Sequence, residues 1–273
     1  MSILQKLKLE EVKQTELEIL LEFNRFCENN KLRYLLAFGT ALGAARHGGF
    51  IPWDDDIDVI MPRKDYERFL ATYPENSSNR YKLTSYRDKS FIYHFAKLID
   101  TTTLVYETYL NPKYSTGLWI DVFPIDRVPL EAHLENKVSK VRRLFRLREL
   151  AVGNPDIAAS KSALIAKKLT RPIATALNPY SISKEMDSVL VSLNKDVPDN
   201  STDFGWVCLD NPKAFIGIFS DHDLFPAQVM EFEGHKLPVP HNIDANLTQC
   251  YGDWHQLPPK EEREPHFTEA YRL

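Results

Sequence analysis

The residue types that could do chemistry crowd into one stretch. In FGTALGAARHGGFIPWDDDIDVIMP (residues 38–62), Asp54, Asp55, Asp56 and Asp58 fall within five positions. Two carboxylates 4 Å apart repel by about 4 kcal/mol at the effective dielectric near a protein surface, so the cluster calls for a cation. Ile57, Val59, Ile60 and Met61 interleave with it and argue for a strand beside a core rather than a solvated loop. Alternate residues of a strand share a face, so Asp56 and Asp58 are expected to project together. Oxygen donors with no His or Cys among them favour Mg²⁺ or Mn²⁺ over zinc, and Mg²⁺ commonly completes its shell with water and substrate phosphates. The chemistry indicated is phosphate chemistry.

A third carboxylate, Asp121, stands inside the otherwise apolar strand of GLWIDVFPID (residues 117–126). A buried charge is costly unless paired or metal-bound, so Asp121 is expected at a metal, as a base, or against an arginine. Asp126, just past Pro124, reads as a strand-ending or turn residue. Gly39 and Thr40 sit where a strand gives way to a helix, and backbone N–H groups there could seat an anion. A plain threonine N-cap is the equal alternative. Lys97 in FAKLID, with Arg46 and His47 after the Gly-Thr helix, could neutralise diphosphate charge. Against that, Arg46 suits a helix C-terminus, Lys97 a surface strand, and His47 a structural role.

Ordinary elements must hold these residues. Val12, Ile19, Phe23 and Phe26 recur at helical spacing over residues 8–29. A short strand, Arg33 to Phe38, precedes the Gly-Thr turn and a small-residue helix, Ala41 to Arg46, that stops at Gly48 and Gly49. Ile57 to Met61 is the next strand, followed by a helix from Lys64 to Thr72. Further strands are expected at Tyr81 to Tyr86, Tyr93 to Ile99, Thr103 to Tyr106 and Gly117 to Phe123. Residues 131–175 read as helical with a break at Gly153 and Pro155, another helix covers Ser183 to Leu193, and residues 231–240 form a hairpin turning at Glu233 and Gly234.

The composition is that of a globular protein: 273 residues, 43% hydrophobic, net charge −4. Cys27, Cys208 and Cys250 are odd in number and lack CxxC spacing, which argues against a disulfide framework or zinc site and for a reducing compartment. No apolar run reaches the roughly eighteen residues a membrane span needs. Charge is uneven: between Lys137 and Arg171 ten Lys or Arg face two acids, a local +8. That segment suits an anionic surface such as the cytoplasmic leaflet, or is a solvated helical face. Nucleic acid fits poorly, for want of a recognition motif. Three segments follow: a core over 1–130, a basic helical segment over 131–200, and a C-terminal segment over 201–273 that packs back on the core.

GTALGAARHGGFIPWDDDIDV, the GLWIDVFPID strand and YGDWHQLPP (residues 251–259) together closely resemble the LicD family. That family includes phosphocholine transferases, has fukutin and fukutin-related protein as animal relatives, and falls within the nucleotidyltransferase superfamily of DNA polymerase beta. The resemblance spans about residues 20–130 and 245–267. It implies an α+β fold, a nucleotidyltransferase mixed sheet with flanking helices and a helical insertion. It also implies a Gly39-Thr40 turn facing a nucleotide diphosphate, Mg²⁺ or Mn²⁺ on Asp56 and Asp58, and Asp121 as third carboxylate, either base or ligand of a second ion; Asp54 and Asp55 become secondary. The implied reaction moves a phospho-alcohol, choline phosphate above all, from a CDP carrier to a hydroxyl of a glycan or teichoic acid precursor, with CMP leaving. Another CDP-linked alditol phosphate is the alternative cargo, and a non-catalytic glycan- or partner-binding scaffold the alternative class. Choline's quaternary ammonium would need an aromatic box, for which Trp53, Tyr106, Tyr109, Trp119 and Trp254 are available. The expected location is cytoplasmic, peripheral at the inner face of the membrane. A D-x-D glycosyltransferase fits less well, because only about 55 residues precede the motif.

Overall fold

The computed structural model describes residues 4–73, 80–158, 160–198, 201–209, 217–263 and 269–273. β1 (Gln5–Lys6) leads into α1 (Leu9–Asn30), which buries Val12, Ile19, Leu20, Phe23 and Cys27 along one face and ends at Lys31 in the left-handed conformation. β2 (Leu35–Leu36), α2 (Phe38–His47), β3 (Asp58–Pro62) and α3 (Arg63–Thr72) follow, then β4 (Tyr81–Thr84), β5 (Ala96–Asp100), β6 (Thr103–Tyr106) and β7 (Trp119–Val128). Three helices come next: α4 (Glu135–Val152), α5 (Lys161–Ala176) and α6 (Pro179–Val191). The chain closes with β8 (Gly205–Val207), β9 (Phe219–Ser220), α7 (Asp221–Leu224), β10 (Gln228–Phe232), β11 (His235–Val239), α8 (Ile243–Tyr251) and β12 (Glu269–Arg272).

The fold is mixed α+β around a sheet of order β2-β3-β7-β5-β4, with β8 and β9 continuing from the far half of β7. β3 and β7 pair in parallel, and the other ladders are antiparallel. Both faces are covered, as the near-continuous apolar runs of the central strands require. Val59, Met61, Ile120 and Val122 pack with α1, while Ile60, Phe123 and Ile125 pack with Phe95, Trp206 and Phe219. A second core joins Val138 and Val141 of α4 to Met186 and Leu190 of α6 and to Val128, Val207 and Leu209. A small antiparallel sheet, β1-β12-β6, ties Gln5 to Arg272.

Several expectations need correction. β2 is two residues long and α2 begins at Phe38, so Gly39 and Thr40 lie in its first turn; the N-cap is Ala37, which supplies no side-chain bond. β3 starts at Asp58, which leaves Asp56 outside the ladder. β7 runs through Pro124 to Val128, so Asp126 is a strand residue and not the end of one. Proline is tolerated there because pairing with β5 stops at Val122 and pairing with β8 starts at Asp126, so on that side no ladder bond is lost. The basic segment breaks near Gly153 as its composition suggests, and the hairpin turns at Glu233 and Gly234, both at positive φ.

Candidate active site

Register builds the centre of the site. Asp58 lies opposite Asp121 across the parallel β3–β7 ladder, and Lys97 lies opposite Asp121 across β5–β7. Three charged residues of distant sequence are thus set side by side, alternating with Val59, Leu98 and Ile120 on the other face. Lys97 is 2% exposed, and its Nζ stands 3.3 Å from Asp121 Oδ1. The ammonium is also ringed by aromatic faces, 3.5 Å from the centre of Trp119, 4.9 Å from Phe91 and 5.4 Å from Tyr93. The surface-lysine reading of Lys97 is therefore corrected. Burial raises the Asp121 carboxyl to a pKa of about 6 and the Lys97 ammonium acts against that rise.

The loop that carries the aspartates is clamped from two sides. Lys13 of α1 donates through Nζ to the carbonyls of Ile51 (2.9 Å) and Pro52 (3.1 Å). Thr40 is buried, and its Oγ1 accepts from the Asp58 N–H at 2.8 Å, so this hydroxyl fixes the first residue of β3. Asp54 Oδ2 lies against Gly39, where a Cβ would fall 2.7 Å from it. The anion seat expected at the start of α2 thus faces one of the protein's own carboxylates, a favourable place for negative charge. Asp54 and Asp55 are buried, 8% and 1% exposed.

Sequence reasoning missed Glu16. It sits mid-helix in α1, is 0% exposed, and neither carboxyl oxygen has a hydrogen-bond partner. Burial, then the charges of Asp56, Asp55, Asp121 and Asp54, push its pKa well up. Its place among Leu17, Ile19 and Leu20 on the inner face of an amphipathic helix was the one available signal.

Other predicted residues lie elsewhere. Arg46 and His47 end α2, about 10 to 12 Å from Gly39 at the helical rise per residue. Arg46 Nη1 donates to the carbonyls of Trp254 (2.8 Å) and Gln256 (3.3 Å), which ties the YGDWHQLPP segment to α2. His47 meets the edge of Trp53 at 6.4 Å, and the Arg263 guanidinium covers the Trp53 ring at 5.0 Å. The His47 pKa is lowered by burial, then by Arg46 and Lys13. Tyr251, the first residue of that segment, has its hydroxyl pKa raised by burial, then by Cys250, Asp58, Asp54 and Asp56, so the C-terminal segment borders the aspartates. The five aromatics do not form one box: Trp119 is in the Lys97 cage, Trp53 is under Arg263, Tyr106 meets Tyr271, Trp254 stacks on His255 at 3.8 Å, and Tyr109 is 63% exposed. Asp126 belongs to a separate buried network, with Arg63 donating to it through Nε (2.8 Å) and Nη2 (2.6 Å).

Among the described residues, no three His, Cys, Asp or Glu side chains gather into a preformed metal cage. The donor set nevertheless suits Mg²⁺ or Mn²⁺, which take one or two carboxylates and leave the remaining positions to water and phosphate. The orphaned, charge-raised carboxyl of Glu16 marks an excess of negative field that a divalent ion on Asp56 and Asp58 would relieve.

Carboxylates on adjacent parallel strands, with a buried lysine on the next strand, form the candidate site, and similarity to known proteins makes the chain a transferase. The chain belongs to the LicD family: a family profile described as LicD/FKTN/FKRP, nucleotidyltransferase domain, matches residues 31–151, and a full-length relative is 32% identical. That relative is the lipopolysaccharide cholinephosphotransferase LicD of Haemophilus influenzae, aligned over 99% of this chain and 100% of its own length. Uncharacterized proteins of Rickettsia typhi and Rickettsia prowazekii are similar over short stretches, 30% identical over 66 residues (24% of this chain and 21% of that protein) and 32% over 58 (21% and 22%).

Proposed function

We propose that this transferase moves phosphocholine from CDP-choline to a hydroxyl of lipopolysaccharide or a related cell-surface glycan, in a reaction that depends on Mg²⁺ or Mn²⁺ and releases CMP. The observation that carries this reading is the register that sets Asp58, Asp121 and Lys97 side by side, in a chain whose full-length relative bears a cholinephosphotransferase name. The sheet, with carboxylates on adjacent parallel strands, is read as a nucleotidyltransferase core.

In this mechanism the acceptor oxygen bonds to the phosphorus that carries choline. The bond from that phosphorus to the CMP oxygen breaks, and CMP takes the electron pair. Asp121 receives the acceptor's proton, and a carboxyl pKa raised to about 6 by burial suits a base better than an exposed aspartate does. Asp56 and Asp58 would hold the divalent ion, which supplies positive charge to the diphosphate oxygens. Thr40 and Lys13 keep the aspartate loop in place before substrate arrives, so little reorganisation is left for the reaction. Arg46, His47 and Trp53, at the other end of α2, are assigned to the far end of the donor.

The acceptor is a glycolipid in this reading, and the protein meets it at a membrane surface. Helix α5 supports this: Ile165, Leu169 and Ile173 are 61%, 76% and 60% exposed at helical spacing, with Lys161, Lys168 and Arg171 beside them. Among the described residues no helix is long and apolar enough to cross a membrane.

The test is turnover of CDP-choline with a lipopolysaccharide acceptor, run beside CDP-ribitol and CDP-glycerol. CMP release with CDP-choline is expected, and Asp58→Asn should lower kcat/KM by about 10³-fold or more while the protein stays folded. Turnover with CDP-ribitol or CDP-glycerol alone would change the cargo, and full activity in Asp58→Asn would end the assignment of the site.

A further inference from the structure

Lys97 is not placed as phosphate-binding lysines commonly are, at the rim of a cleft with a mobile head. It is 2% exposed, its Nζ is 3.3 Å from Asp121 Oδ1, and the rings of Trp119, Phe91 and Tyr93 enclose the rest of the ammonium. A strand register fixes its backbone beside that of Asp121, and Asp121 is in turn the neighbour of Asp58. Aromatic faces attract a cation through their quadrupole, and they do so most strongly where water is excluded. The cage therefore keeps a positive charge against Asp121 and gives it no route to solvent.

We propose that Lys97 supplies from the protein the positive charge that a second metal ion on Asp121 would bring, so that the centre works with one divalent ion, on Asp56 and Asp58. The inference rests on the metal-dependent reading above. A divalent ion bound to an Asp121 oxygen at about 2.1 Å would lie within a few ångströms of Nζ. Repulsion between a divalent ion and an ammonium at that separation is severe in a low-dielectric interior. Asp58, opposite Asp121 but away from β5, does not meet the same obstacle. Asp121 is thereby left as a carboxylate paired to an organic cation, available to the acceptor hydroxyl.

The assignment makes Lys97 a positioning residue, and metal stoichiometry tests it independently of turnover. The full-length protein is titrated with Mn²⁺ in the presence of CDP, which cannot transfer choline phosphate, and free Mn²⁺ is followed by electron paramagnetic resonance. One Mn²⁺ per chain is expected for the wild type and none for Asp58→Asn. In Lys97→Met, similar in length but uncharged, a second Mn²⁺ is expected, carried by Asp121. Lys97→Arg, which keeps the charge, should stay at one. If Lys97→Met fails to fold, Lys97→Gln replaces it, with circular dichroism confirming the fold. Two Mn²⁺ per chain in the wild type would overturn the inference and leave the metal-dependent reading standing. One Mn²⁺ in both the wild type and a folded, uncharged variant would overturn it as well. No Mn²⁺ bound to the wild type would remove the metal-dependent reading and the inference with it.

Discussion

His94 illustrates how a side chain can be fixed in one protonation state by its partners. It is 2% exposed, and Nε2 lies 2.9 Å from the Leu209 carbonyl, which only accepts, so Nε2 carries the proton. Nδ1 is then the acceptor for Arg148 Nη1 at 3.2 Å. Protonating Nδ1 would place two cations together in a buried site, and burial, then Arg148, depress the histidine to about 3. Because the folded pKa lies below the unfolded value of about 6.5, the unfolded chain binds the extra proton between pH 6.5 and 3. Stability should accordingly be complete above pH 6.5 and fall as the pH drops, by about 1.4 kcal/mol per unit from this residue alone. Urea unfolding of the wild type and His94→Gln at several pH values checks it: the variant's acid limb should be shallower by about that slope. At this scale the site was partly legible. Asp58 and Asp121 stand out because carboxylates inside apolar strands are unusual, whereas Lys97 reads equally as a surface strand lysine, and Glu16 and Lys13 lie on an amphipathic helix, where acids and bases are ordinary. Nothing local says that their side chains meet the loop beyond α2.

Among the elements, α5 departs furthest from a surface helix that has found its packing partner. Its inner residues Leu164, Lys167, Thr170 and Ala174 are half-buried, and Lys167 Nζ donates to the carbonyls of Asn154 and Ile157. The +8 of the surrounding segment is less free than its sequence suggests: Arg148 is buried, Lys137 pairs with Asp196, and Lys140 with Glu185. What remains outward beside the apolar stripe is Lys161, Lys168 and Arg171, the combination that an anionic bilayer surface attracts. Co-sedimentation with vesicles containing anionic lipid should be clear at low salt and should fall at least severalfold in the Ile165→Ser/Leu169→Ser/Ile173→Ser variant; equal binding by both would exclude this face. Periodicity located α1, α4 and the hairpin well. It missed that α6 starts at Pro179 behind the Asn178 cap, although asparagine followed by proline is a recognisable helix opening. The continuation of β7 past Pro124 was not legible either, since it depends on which neighbour pairs with each half of the strand.

For the whole molecule, the sheet and the helical segment are joined by a buried charge network and not by apolar contact alone. Arg63 at the start of α3 reaches Asp126 on β7 and, through Nη1, Asp187 on α6 at 2.8 Å. Tyr86 donates to the other Asp187 oxygen at 2.6 Å, and Arg87 joins Asp187 to Glu67. Removing one partner from such a group leaves buried charge uncompensated, at a cost of about 3–5 kcal/mol. Arg63→Met should therefore lower Tm by roughly 10 °C in a protein of this size, with loss of the α6 packing visible by amide exchange. A drop of a degree or two would mean that the two aspartates find water or protons instead. The general class, α+β with strand carboxylates on a sheet, could be read from the chain, but this network could not: Arg63, Asp126 and Asp187 each look unremarkable until the topology brings them together. The parallel pairing of β3 with β7 has one more implication. Its two acidic residues become neighbours only once the intervening crossover has closed, against both chain entropy and their own repulsion. On the proposed assignment a half-assembled chain cannot hold a working centre, and catalytic competence would double as the molecule's own report that assembly has finished.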